Sequence, residues 1–418
     1  MKNFRRMQFF IILTVLLGLL GCSSNENVVI KSRGLPVVYD ELYPYYVEVS
    51  AVSQIRPRGA PAGGGAGHAV VYLKGARWVK DAPYPTIALC DSTADLKNPD
   101  TGVGVSVDKL FKNVNWIGVP TRFFFFYGNL PETTALTMDR FEHTIKQAME
   151  MGIFQGIEVH QQYLTSKPDT MNVLEYLARQ SIGTDYALNF GRTIFSVSVP
   201  VTRDVLGKVV EYLNRVNREY ATGEAKYNWS GYSDNCSHLV HNALAAAGFW
   251  KPQSVKTTKL KQLFNLSVPA NEFVNLFDRA NNYPIEDIRK IYQDEVLRNT
   301  LMQYHWLPVH HGALWRTISV RQENEVYEPQ FKLFVMEWPL IKQKTRKVKK
   351  MISHPEFTEI RANLTYFRQR YQKILSRKNK VLSETNDARF KEFAQVYYQY
   401  IQEQLLDVHR KLSYLDRH

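Results

Sequence analysis

The stretch that decides the reading is Asp234-Asn235-Cys236-Ser237-His238-Leu239-Val240-His241-Asn242-Ala243-Leu244-Ala245-Ala246-Ala247-Gly248. Its apolar run predicts a strong helix, with an Asx-type cap before it and Gly248 just past its end. Cys236 falls on the first turn. There the positive end of the helix dipole and unpaired backbone N–H groups stabilise a thiolate. The same N–H groups can hold an oxyanion when a carbonyl is attacked. The position therefore supplies a nucleophile and half an oxyanion hole, and it still needs a general base.

Working outward, His68 is the candidate base. A glycine-rich loop, Ala60-Pro61-Ala62-Gly63-Gly64-Gly65-Ala66-Gly67, runs straight into His68-Ala69-Val70-Val71-Tyr72-Leu73. That is a short apolar strand with the imidazole at its head, where the ring can border a cleft. His310, in the turn Leu307-Pro308-Val309-His310-His311-Gly312, is the reserve base. His238 and His241 sit three apart on one helical face and raise the question of a metal. No third ligand stands at a recognised spacing, so solvated or core histidines are the default and no metal or other cofactor is expected. Three cysteines are present, Cys22, Cys90 and Cys236. For the last two, a disulfide, a buried structural thiol and a working thiol all stay open.

The order histidine strand first, cysteine helix last resembles the circularly permuted branch of the NlpC/P60-like papain-fold superfamily, which includes the lecithin–retinol acyltransferase-like proteins. The pairing of Gly67-His68-Ala69-Val70 with Tyr232-Ser233-Asp234-Asn235-Cys236 is similar to the envelope family known as the Lnb N-terminal periplasmic domain, over roughly residues 45–270. The resemblance implies Cys236 as nucleophile and His68 as base. It implies a third polar member on the next strand, for which Asp91, at the end of an expected strand over 85–90, is the nearest match. Tyr232 would add an oxyanion donor. Some members of that family are implicated in lipoprotein N-acylation. This chain lacks their membrane-spanning extension, and nothing comparable covers residues 340–418.

At the start of the chain, Lys2, Arg5 and Arg6 precede the apolar run from Phe9 to Leu17, and Leu19-Leu20-Gly21-Cys22 follows. Basic, apolar, small is the order of an export signal, and the apolar core is too short to span a membrane comfortably. The end of it resembles a lipobox, so 1–21 reads as a lipoprotein signal peptide and Cys22 as the lipidated new N-terminus. Ser23, not Asp, follows, which by the sorting rule of Gram-negative envelopes favours the outer membrane, facing the periplasm. Loss of Lys2, Arg5 and Arg6 takes the formal net charge from +13 to +10. That charge suits anionic lipid or glycan surfaces. No RNA-binding or zinc-finger spacing is present, so nucleic acid is not an expected partner. Nothing in the sequence sets an oligomeric state.

Roughly 395 residues remain after such processing, enough for a sizeable core. With 24 Tyr and 22 Phe the composition is not that of a disordered chain. Residues 22–34 read as a tether and 35–270 as the thiol domain. Within it, strands are expected over 45–50, 68–73, 85–90, 122–127 and 193–199, and helices over 137–151 and after Thr202. Residues 271–340 read as helix followed by a hairpin over Leu314–Val320 and Gln330–Trp338. The run from Lys342 to Lys350 reads as a basic linker, and two long helices with apolar residues at three- and four-residue steps end the chain as a helical hairpin. The expectation is an α+β, permuted papain-like domain with an antiparallel sheet and a nucleophile helix. Its chemistry would be a thiol hydrolase or acyltransferase acting on an amide or ester of cell-wall peptide, lipid or lipoprotein. The alternative is a non-catalytic envelope scaffold that binds a partner or an anionic glycan or lipid.

Overall fold

The computed structural model describes residues 37–52, 67–92, 95–96, 101–120, 135, 137–184, 194–230, 234–252, 269–318, 325, 343–384 and 386–418. Helix α1 (Val37–Leu42) leads into strands β1 (Tyr46–Val52), β2 (His68–Lys74), β3 (Ala76–Trp78), β4 (Ile87–Leu89), β5 (Val103–Val107) and β6 (Trp116–Pro120). Helices α2 (Met138–Glu150) and α3 (Val173–Thr184) follow, then β7 (Ile194–Pro200). After it come α4 (Arg203–Ala221), α5 (Cys236–Ala246), α6 (Pro269–Asn282), α7 (Ile288–Gln293) and α8 (Glu295–Tyr304). β8 (Leu314–Ile318), α9 (Gln343–Ile352), α10 (Ile360–Leu375), α11 (Lys378–Ser383) and α12 (Ala388–Arg417) complete the chain. The described residues thus form an α+β fold: one six-stranded antiparallel sheet in the order β6-β5-β2-β1-β7-β8, a separate β3-β4 pair, and a helical C-terminal stretch.

β1 sits at the centre, with Val49 opposite Val71 of β2 on one side and Val197 of β7 on the other. Alternation sends Val47, Val49, Val71, Val105, Phe195 and Val197 to one face. Helices α5 and α6 pack on that face. There Phe273 of α6 meets Trp315 of β8 edge-on at 4.5 Å and Phe195 at 6.4 Å. Each such buried aromatic contributes about 2–3 kcal/mol through the apolar area it removes from water.

The other face is polar and yet buried. Alternation in Tyr46-Val47-Glu48-Val49-Ser50 suits a half-solvated strand, but every residue of β1 is buried. Charge pairing makes this tolerable. Glu48 Oε2 accepts from the Arg316 guanidinium and from Ser198 Oγ at 2.7 Å, so no lone buried charge remains.

Thr202 caps α4 by accepting from the Val205 N–H at 3.2 Å, and Thr137 caps α2 in the same way from Arg140 at 3.3 Å. At the C-terminus α10 and α12 run antiparallel, since Arg361 at the start of one pairs with Asp416 at the end of the other. Their seam holds Leu364, Phe367, Tyr371, Phe393, Tyr397 and Ile401, all buried. The expected basic linker is different: its residues form helix α9, which buries Met351 while Arg346, Lys347 and Lys350 face solvent. The expected strand over 122–127 and the second arm of the hairpin, Gln330–Trp338, lie outside the described residues.

Candidate functional site

α5 begins at Cys236 because Asn235, extended at φ −133°, turns its side chain onto the first turn. Its Oδ1 accepts from the N–H groups of Ser237 at 2.9 Å and His238 at 3.2 Å. This is the expected cap, with a consequence. Two of the helix-start amides that would serve an oxyanion are already committed to Asn235. The dipole still favours a thiolate at Cys236.

The sheet brings the histidine strand to this point. Gly67, in the left-handed region at φ +78°, turns the chain into β2. β5 pairs with β2 only over Val71–Leu73, so the head of β2 is open on that side. The start of α5 fills the opening, and the Ala69 N–H donates to Cys236 Sγ at 3.4 Å. One strand thus delivers an amide to the sulfur, while one residue earlier the His68 side chain, opposite Val52 of β1, lies with Ser106 on the face of the sheet opposite Val71. Cys236 is 8% exposed and His68 is half-buried.

The ring of His68 is oriented by a residue that the sequence reading did not name. Ser106 Oγ lies 2.7 Å from His68 Nε2. The two share a face of adjacent strands as diagonal neighbours. Asp91 does not join them. The strand before it, β4, pairs with β3 instead of the main sheet, and Asp91 is a solvent-facing group 3.6 Å from Arg203. The neighbour of β2 is β5, and the signal that could have pointed to Ser106 is the alternation Val103-Gly104-Val105-Ser106-Val107. Tyr232 and Cys22 lie outside the described residues.

A different tyrosine is sealed in the segment that leads into α5. Tyr227, between α4 and α5, is 1% exposed, and its hydroxyl has no hydrogen-bond partner among the described residues. Burial drives this phenol well above its ordinary range, and the charges of Asp234, Asp108 and Cys236 push it the same way. Ser237 Oγ is likewise buried and unpartnered. Burial alone raises the Asp234 carboxyl to about 6. No pattern in the loop around Lys226-Tyr227-Asn228 marked Tyr227 out.

The remaining histidines are accounted for by packing. His238 Nδ1 donates to Asn235 Oδ1 at 2.9 Å. His241 places Nδ1 3.0 Å from Glu272 and Nε2 3.2 Å from the Lys251 carbonyl, and stacks on Trp250 at 4.8 Å. The pair therefore does not converge on a common point, and no metal-binding group of three or more His, Cys, Asp or Glu occurs among the described residues. His310, the reserve base, is buried beside His311 and α12, with Nδ1 donating to the His311 carbonyl at 2.7 Å.

Cys90 and Cys236 are both free thiols. The Cys90 N–H bonds to the Gly75 carbonyl beyond the far end of β2 from Ala69. Six residue steps along the strand separate those contacts, about 20 Å, so the two sulfurs cannot pair in this fold. Comparison with family models, with curated proteins and with solved structures finds no match.

Proposed function

We propose that this chain is a cysteine-dependent hydrolase or acyltransferase of the cell envelope, tethered through lipidated Cys22 to a membrane, with a permuted papain-like arrangement of histidine strand and cysteine helix. The observation that carries the reading is the amide–sulfur contact between Ala69 and Cys236, which joins the head of the His68 strand to the head of the nucleophile helix. Cys236 Sγ attacks the carbonyl carbon of an amide or ester. Its proton passes to His68 Nδ1, since Nε2 is engaged by Ser106, a step in which the ring swings past the head of β2 toward the sulfur. The C–S bond forms, and the carbonyl oxygen takes the negative charge. The Tyr227 hydroxyl donates to that oxygen. Collapse expels the amine or alcohol, which takes its proton from His68 and leaves a thioester. Water then completes hydrolysis, and an amine or alcohol completes transfer. Peptidoglycan peptides and acylated lipids or lipoproteins fit this chemistry. The outer membrane, facing the periplasm, is the proposed location, and the basic surface suits anionic lipid or glycan. No step uses a cofactor.

The test is alkylation of the full-length protein with iodoacetamide from pH 5 to 9, followed by peptide mapping to read Cys236 alone. Cys236 should react well below the free-thiol range of about 8.5. A His68→Ala variant should move that reactivity back toward it. An ordinary thiol profile, unchanged by His68→Ala, would favour the non-catalytic scaffold.

A further inference from the structure

The turn from Leu307 to Ala313 carries two imidazoles into a cluster of polar contacts with the C-terminal helices. The rings of His310 and His311 stack 4.2 Å apart. His311 places Nε2 3.0 Å from Asp407 Oδ2 of α12 and Nδ1 3.3 Å from the Tyr371 hydroxyl of α10. The same Asp407 takes Lys411 and, at 3.2 Å, Arg410. The Lys411 ammonium lies 4.4 Å over the ring of Tyr43, and the Tyr39 hydroxyl donates to the Gly312 carbonyl at 2.7 Å. Gly312 N–H in turn donates to Asn363 Oδ1 of α10 at 2.6 Å. Gly312 adopts φ +92°, and a Cβ there would meet the Tyr43 ring at 2.4 Å, so only glycine lets the turn sit this close. Four elements, α1, the turn, α10 and α12, meet in one cluster.

We propose that this cluster is an acid-released latch. It holds α12 and its hairpin against α1 and the turn while both imidazoles are neutral, and frees them when the rings take protons.

The geometry gives the reason. A proton added to either ring must sit beside the Lys411 ammonium and the other imidazole. The anion in reach, Asp407, already carries Lys411 and Arg410. The other facing groups, Tyr39 of α1 and Tyr43 just after it, Tyr371 of α10, and Tyr400 and Gln404 of α12, are uncharged. Both rings are sealed, His311 fully and His310 at 8% exposure, so water cannot solvate the added charge. Burial lowers His310 to about 4 from 6.5, and holds His311 well below its ordinary value. Released rings bind protons near 6.5, so docking is at full strength above that pH and weakens as pH falls toward 4. At pH 5, His310 alone favours release by roughly 30-fold.

Amide hydrogen exchange on the full-length protein, corrected for intrinsic rates, tests this at pH 7.5 and pH 5. Opening of residues 388–417 should rise by roughly 30-fold or more, while β1 and β2 keep their protection. His310→Gln should remove at least about tenfold of that rise. The latch is overturned by any of three results: equal protection of α12 at both pH values, loss of sheet and α12 protection together, or an unchanged rise in His310→Gln. The first two need no variant, so they stand even if the substitution fails to fold.

Discussion

Two regions of this chain use histidine in opposite ways. At the head of β2, His68 is half-buried, held at one nitrogen by Ser106 and set one residue from an amide that touches Cys236. At the turn before β8, His310 and His311 are sealed beneath α12, with carboxylate, hydroxyl and carbonyl partners. The residue type is the same and the solvent access is not. A ring that water and a substrate can reach is able to move a proton in each cycle. A ring that neither can reach converts protonation into strain on the packing around it. Buried polar pairs therefore close off the interior, and the half-buried ring is the one on which the proposed chemistry rests.

The largest effect should come from breaking a closed pair. Arg316→Met leaves Glu48, fully buried in the middle strand, without its cation. Folding stability should drop by about 3–5 kcal/mol, read as a lower urea midpoint. Adding Glu48→Gln should recover most of it. A loss under about 1 kcal/mol would mean the closed clusters are not what holds the sheet.

Next comes the open region, where stability and turnover should part company. Tyr227→Phe removes a buried hydroxyl that has no partner among the described residues, so stability should hold or rise by about 1 kcal/mol. Hydrolysis of an activated aryl ester should fall about 10²-fold in kcat, with KM little changed, as for loss of one oxyanion donor. If both quantities fall together, Tyr227 is a packing residue.

How much of this was legible before the fold was known depends on the range of the interaction. The α5 cap is written within four residues, Asn235 to His238, and local chemistry alone predicts it. The head of β2 is as legible, since a glycine run followed by His68 and apolar residues marks a strand start. The two terminal helices declare themselves by spacing. Strand neighbours are another matter. Asp91 was nearest along the chain, yet β4 pairs with β3, and the loop between them and β5 hides the strand that lies beside β2. The latch was illegible for the same reason, because His311 and Asp407 are brought together only by the docking of α12. The basic run hid a helix because charge patterning alone says nothing of the buried Met351 on its inner side.

The smallest effect separates the two candidates for the third member. Ser106→Ala deletes the hydroxyl 2.7 Å from His68 Nε2, a hydrogen bond that contributes about 1 kcal/mol. Ester turnover should fall about fivefold, and the acid limb of its pH profile should move, because the ring loses a neighbour that distinguishes its protonation states. Asp91→Ala should leave both the rate and the profile unchanged, since that carboxylate faces solvent beside Arg203. The reverse result would show that β5 does not orient the imidazole. It would also mean that the loop after β4 rearranges to bring Asp91 to the site during catalysis.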